Sequence, residues 1–141
     1  MTIAVPIPNP TASRPLRGGI WLEQFILAAL FIFSAFMKIT APIPELAKMM
    51  PWTGDHSELF VRFIGFVDLA GGLGILLPSL TRILPRLTVL AALCCSVLQV
   101  FAMIFHLSRG EAAVIILNIF MLSLSLFVLW GRARKAPISP R

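Results

Sequence analysis

A small set of polar side chains interrupts otherwise apolar stretches of this chain: Ser34, Lys38, Arg62, Asp68, Gln99, His106 and Asn118. Asp68 is the most informative, because it lies about nine residues inside the apolar stretch 59–78. A carboxylate in such surroundings needs either a proton or a cation. Arg62 is six positions from Asp68, which puts it on a different helix face. Lys38 arrives from another stretch and is the expected partner. Asp68 and His106 are the candidate catalytic residues, as acid and base. Lys38, Arg62, Gln99 and Asn118 are candidates for binding a ligand and steadying charge on it. Each also has an ordinary use. His106 at a helix end suits an interface, Lys38 and Arg62 can snorkel to headgroups, Asn118 can bond between helices, and an Asp–Lys pair can simply pin two helices.

The elements that must position these groups follow from composition. Hydrophobic residues make up 58% and charged residues 13% of 141 residues, against roughly 45–50% and about 25% in soluble proteins. A domain of this size in water has too much surface to hide so many apolar side chains. Four stretches, 21–39, 59–78, 87–106 and 112–130, each approach the roughly 20 residues that cross a bilayer core, and lipid requires them to be helical. The expected fold class is all-α: an antiparallel bundle of four transmembrane helices with a long external first loop. Residues 1–19 read as a disordered tail, 20–131 as the membrane domain and 132–141 as a basic tail. Arg14, Arg17, Arg82, Arg86, Arg132, Arg134, Lys135 and Arg141 fall on one side, against Lys48 and Arg109 on the other. By the positive-inside rule both termini are cytoplasmic, in what is expected to be a bacterial inner membrane. On this topology the polar groups share the external half, while the cytoplasmic half reads as mostly apolar.

The loop 40–58 carries a short helix signal at Pro44–Met50, with Ile43, Leu46, Met49 and Met50 expected on the membrane surface and Trp52 in an accessible turn. Asp55 or Ser57 is placed to cap the second span. Gly65, Gly71 and Gly72 share a helix side with Asp68 and allow either close helix packing or room for a ligand. Cys94 and Cys95 are adjacent on a helix and cannot pair there. The net charge of +6 sits at the ends of apolar runs; no nucleic-acid-binding pattern accompanies it, and no metal site is expected.

Phe33-Ser34-Ala35-Phe36-Met37-Lys38 is similar to the first-span motif of the DoxX-like family, and residues 65–78, from Gly65-Phe66-Val67-Asp68 to Leu77-Pro78, resemble its second-span motif. Residues 102–111 around His106 resemble its third-span ending, and Asn118 with Gly131-Arg132 matches its fourth span. One departure is the second-span acid, usually glutamate and here Asp68. The resemblance implies a four-helix membrane fold over about residues 20–133. It also implies association with quinone-linked membrane redox complexes, since the family's name derives from a thiosulfate:quinone oxidoreductase subunit. Three readings follow: an accessory subunit that anchors a redox partner protein or holds quinone, a stand-alone enzyme acting on a lipophilic small molecule, and a non-catalytic assembly factor. Homo-oligomerisation within the lipid bilayer is compatible with each.

Overall fold

The computed structural model describes residues 12–141, and every regular element among them is helical. Helix α1 runs Arg14–Thr40, α2 Ile43–Met49, α3 Glu58–Thr81, α4 Arg86–Ser108 and α5 Ala112–Trp130. A 3₁₀ turn, Pro51–Asp55, joins α2 to α3, and a π-helical turn, Gly131–Lys135, extends α5. Four of these helices are long and apolar enough to cross a membrane. Their outer faces expose large apolar side chains, among them Phe33, Phe36, Phe63, Phe66, Phe101, Ile104 and Ile116. An apolar surface of that extent belongs in lipid, and the chain is an integral membrane protein.

The helices start and stop where local chemistry directs. Ser13 Oγ accepts a hydrogen bond from the Leu16 amide at 3.4 Å, and Pro15 occupies the first turn, where its missing N–H is not needed. Residues 14–19, expected as part of an irregular tail, are therefore helical; the rest of that expectation, over residues 1–11, lies outside the described residues. With 27 residues α1 is about 40 Å long, longer than the roughly 30 Å hydrocarbon core, so its first turns stand beyond the core. Ser57 caps α3 by accepting from the Phe60 amide at 3.3 Å. At the other end of α3, Arg82 adopts the left-handed conformation, φ 59°.

The four long helices form an antiparallel bundle in the cyclic order α1, α3, α4, α5, each packed against two neighbours. One end carries α2 and the α4–α5 turn and is called here the loop end; the other carries the described chain ends and the α3–α4 turn and is called the termini end. The closest approach is between α1 and α3. A Cβ at Gly72 would lie 2.8 Å from Ile32 Cγ1 and 3.1 Å from the Ala28 carbonyl oxygen, and one at Gly65 would lie 3.0 Å from Lys38 Cβ. Gly65, Asp68 and Gly72 share the α3 face turned to α1, so these two glycines serve helix contact rather than ligand space. Leu27, Ala28, Phe31, Ile75, Ala92, Cys95, Met121, Leu124 and Val128 form the core of the termini half.

A second apolar cluster closes the loop end. Leu46, Trp52 and Val61 are buried, with Met37, Ile43, Met50, Ile64 and Phe105 against them. This corrects two expectations. Ile43, Leu46 and Met50 turn inward onto the bundle, leaving Met49 exposed, and Trp52 is only 8% exposed. The cause is the α1–α2 connection: with only Ala41 and Pro42 between the helices, α2 must fold back over the ends of α1 and α3. At the termini end the segment after α5 also folds back. The Arg141 amide donates to the Arg82 carbonyl at 3.1 Å, and Arg82 Nε donates to the Ser139 carbonyl at 3.0 Å. Residues 132–135 continue the helix as a π turn, so the segment expected as a basic tail is in part built into the bundle.

Candidate functional site

Ser34 and Lys38 stand one turn apart on α1 and face Asp68 on α3. Lys38 Nζ donates to Asp68 Oδ2 at 2.7 Å and to Ser34 Oγ at 2.8 Å. The Ser34 hydroxyl donates to the same Asp68 oxygen at 2.8 Å. The lysine and aspartate side chains are 10% and 6% exposed. Above them the ammonium sits 5.7 Å from the centre of the Trp52 ring, a second electrostatic contact for the cation. Gly65 lets this happen: it admits the base of the Lys38 side chain between the two helices, so the ammonium can reach down to the carboxylate.

Arg62 does not join this pair. Its Nη1 donates to the carbonyls of Lys38 at 2.6 Å and Ala41 at 2.8 Å, and its Nη2 to Glu58 Oε1 at 2.9 Å. It satisfies carbonyls at the C-terminal end of α1, where a cation also suits the helix dipole. His106 is likewise engaged elsewhere. Its Nδ1 lies 2.6 Å from Glu111 Oε2; Glu111 Oε1 accepts from Arg109 Nε at 2.9 Å; and Arg109 Nη2 donates to Asp55 Oδ2 at 2.6 Å. This chain ties the α4–α5 turn to the 3₁₀ turn. Burial works to raise the Glu111 carboxyl, but the hydrogen bonds from His106 and Arg109, with their charges, outweigh it and hold the group below its ordinary range. No hydrogen bond or salt bridge connects His106 to Asp68. The two candidate catalytic residues are therefore held in separate clusters.

Gln99 and Asn118 lie beside the Lys38–Asp68 pair in level. A Cβ at Gly71 would meet Cys95 Sγ at 2.9 Å, which fixes the register of α3 against α4. One turn toward the loop end from that contact, α3 presents Asp68 and α4 presents Gln99. Gln99 Nε2 makes a long contact, 3.8 Å, to Met121 Sδ on α5, and Asn118 is one turn nearer the loop end than Met121. Gln99 is 5% and Asn118 7% exposed, yet Gln99 Oε1 and Asn118 Nδ2 have no hydrogen-bond partner among the described residues. Two buried amides with spare capacity between the same helices are an uncommon arrangement.

The termini half departs from its apolar reading. Gln24 on α1 donates through Nε2 to the Ile75 carbonyl at 2.7 Å and to Ser79 Oγ at 3.1 Å. Ser79 in turn lies 2.8 Å from Thr88 Oγ1. Arg132 Nε donates to Gln24 Oε1 at 2.5 Å. Gln24, Ser79, Thr88 and Arg132 are all buried, so this network joins α1, α3, α4 and the π turn through the interior. Gln24, Ser79 and Thr88 each stand near a helix end among residues that read as interfacial, and Arg132 is one of four cations in the last ten residues. The one available signal was their shared level near the ends of three helices.

No curated protein and no solved structure matches this chain. The family model described as the DoxX-like family matches residues 23–128, a span that runs from within α1 to within α5 and includes the Lys38–Asp68 pair. The chain belongs to the DoxX-like family.

Proposed function

We propose that this protein is an accessory membrane subunit of a quinone-linked redox system, seating a quinone head group in the bundle beside the Lys38–Asp68 pair. The observation that carries the reading is the unsatisfied pair of buried amide atoms, Gln99 Oε1 and Asn118 Nδ2. A quinone presents carbonyl oxygens, which accept; a quinol presents hydroxyls, which also donate. Asn118 Nδ2 suits the first and Gln99 Oε1 the second. Leaving both unpaired in a lipid-like interior is unfavourable by about 1–3 kcal/mol each, and a bound head group removes that cost. Lys38 already neutralises Asp68, and His106 is bonded to Glu111, so neither is free as the acid–base pair of a stand-alone enzyme. Electron transfer then falls to a partner enzyme.

The charge distribution supports an orientation. Eight of the twelve Lys and Arg residues belong to the termini end, and five of the six acids to the loop end. On the positive-inside rule the termini end is cytoplasmic and the candidate site lies in the external half of a bacterial inner membrane. The test is direct. Protein purified in mild detergent is extracted with organic solvent and the extract analysed for quinone by mass spectrometry. Gln99→Leu and Asn118→Leu are expected to lose most of the quinone and, with it, the rise in melting temperature that added short-chain quinone gives the wild type. Protein that carries no quinone, and whose melting is unmoved by added short-chain quinone, overturns the proposal.

A further inference from the structure

At the termini end, we propose a binding site for the phosphate of an anionic phospholipid headgroup, built around Arg132. The π turn swings Arg132 into the bundle, where it is 5% exposed and its guanidinium lies 4.5 Å from the centre of the Trp21 ring. Nε is bonded to Gln24 and Nη1 to the Ala136 carbonyl at 3.1 Å, but Nη2 is buried without a partner among the described residues. No carboxylate reaches it. The salt bridges of the described residues all belong to the loop half: Lys38–Asp68, Lys48–Glu45, Arg62–Glu58, His106–Glu111, Arg109–Asp55 and Arg109–Glu111. Glu23, the one acid in the termini half, makes no hydrogen bond to any of these arginines, and residues 1–11 contain no acid. A buried cation without a counter-charge is strongly unfavourable, so the site calls for an anion from outside the chain.

The surroundings specify which anion. Two grooves adjoin Arg132. One, of about 260 Å³, is lined by Arg17, Trp21, Arg82 and residues 136–139; the other, of about 430 Å³, by Ser79, Arg86 and Val89 among others. No acidic residue lines either. Convergent guanidinium groups match the oxygens of a phosphate, with two N–H bonds from one planar fork. Free phosphate would satisfy this charge but not the flanks. Leu22, Ile83, Leu84 and Leu87 expose 45–67% of their surface next to the grooves' own residues, at the boundary where acyl chains meet headgroups. Basic pockets between membrane helices on that side are suited to anionic lipid headgroups.

Native mass spectrometry of the detergent-solubilised protein tests this with phosphatidylglycerol, phosphatidylcholine and inorganic phosphate as probes. Phosphatidylglycerol is expected to bind at least about five-fold more tightly than phosphatidylcholine. Each of Arg17→Gln and Arg82→Gln, both exposed residues whose loss leaves the Gln24 network intact, is expected to weaken it about five-fold. Arg134→Gln changes net charge equally but touches neither groove, and it is expected to change nothing. An equal loss in Arg134→Gln, or no preference for phosphatidylglycerol, overturns the site. Displacement of phosphatidylglycerol by an equal concentration of inorganic phosphate overturns its assignment to lipid.

Discussion

Replacing Asp68 with asparagine removes the counter-charge of the Lys38 ammonium, already 90% out of contact with solvent or lipid, and leaves it only neutral partners: the amide oxygen of the new side chain, Ser34 Oγ and the Trp52 ring. Breaking one side of a buried ion pair typically costs 3–5 kcal/mol. Lys38 is two residues from the end of α1 and can withdraw toward the interface, so the expected cost is near the lower figure, about 3 kcal/mol. Lys38→Met leaves a carboxylate deeper in the span with a single serine hydroxyl, and the expected cost is again about 3 kcal/mol. The double variant Lys38→Met/Asp68→Asn removes both charges together. It is expected to be no worse than either single variant, a coupling of about 3 kcal/mol, at the top of the range for residues in direct contact. Ser34→Ala, which removes one hydroxyl from the cluster, is expected to cost about 1 kcal/mol. Reversible unfolding in mixed micelles, followed by helical circular dichroism, reads all four. Single-variant costs that add in the double variant to within about 0.5 kcal/mol refute the pairing.

Three further outcomes check the packing, the loop-end ion cluster and the topology. Gly72→Leu, whose Cβ alone would sit 2.8 Å from Ile32 and 3.1 Å from a backbone oxygen, is expected to destabilise the bundle by at least about 1–3 kcal/mol, whereas Gly18→Ala, with nothing within 4 Å, is expected to stabilise it by about 0.4–1 kcal/mol in the same assay. Because the Glu111 carboxyl is held below its ordinary range in the folded protein, its contribution to stability is fully present above that ordinary range and is lost as pH falls through the lowered folded value; melting curves are expected to show Glu111→Gln less stable than wild type near neutral pH, with the difference closing in acid, and a constant difference across pH would contradict this. In intact cells, Lys48→Cys is expected to react with an impermeant maleimide, Arg134→Cys only after the membrane is opened, and Trp52→Cys slowly, since that position is buried.

The loop-end site was partly legible because each of its members breaks an apolar run. Asp68 within a span demands a cation, and Lys38 was within reach from α1; the observed 2.7 Å contact is that pairing. Arg62, named as a ligand-binding candidate, and His106, named as a catalytic one, are bonded away from Asp68 for a common reason. Both lie near helix ends, where backbone carbonyls and turn residues compete for them, and helical spacing says nothing about which will win. Arg62 went to the carbonyls of Lys38 and Ala41, and His106 to Glu111, five residues on. Gln24, Ser79 and Thr88 escaped notice because single neutral polar residues near span ends are unremarkable one by one, and only the crossing of three helices shows that they form one network.

Hydrophobic content and the spacing of apolar runs were enough, by themselves, to determine four membrane helices and their alternation, because lipid leaves backbone amides no partner except their own helix. Apart from the Lys38–Asp68 pair, tertiary structure alone decided which polar group meets which. Such meetings depend on helix register and rotation, set here by the tight α1–α3 contact at Gly65 and Gly72 and the Gly71–Cys95 contact, and on a π turn that no periodicity announces. That turn carries Arg132 from the surface of a basic segment into the interior, where its charge acquires consequences that its position in the sequence did not imply.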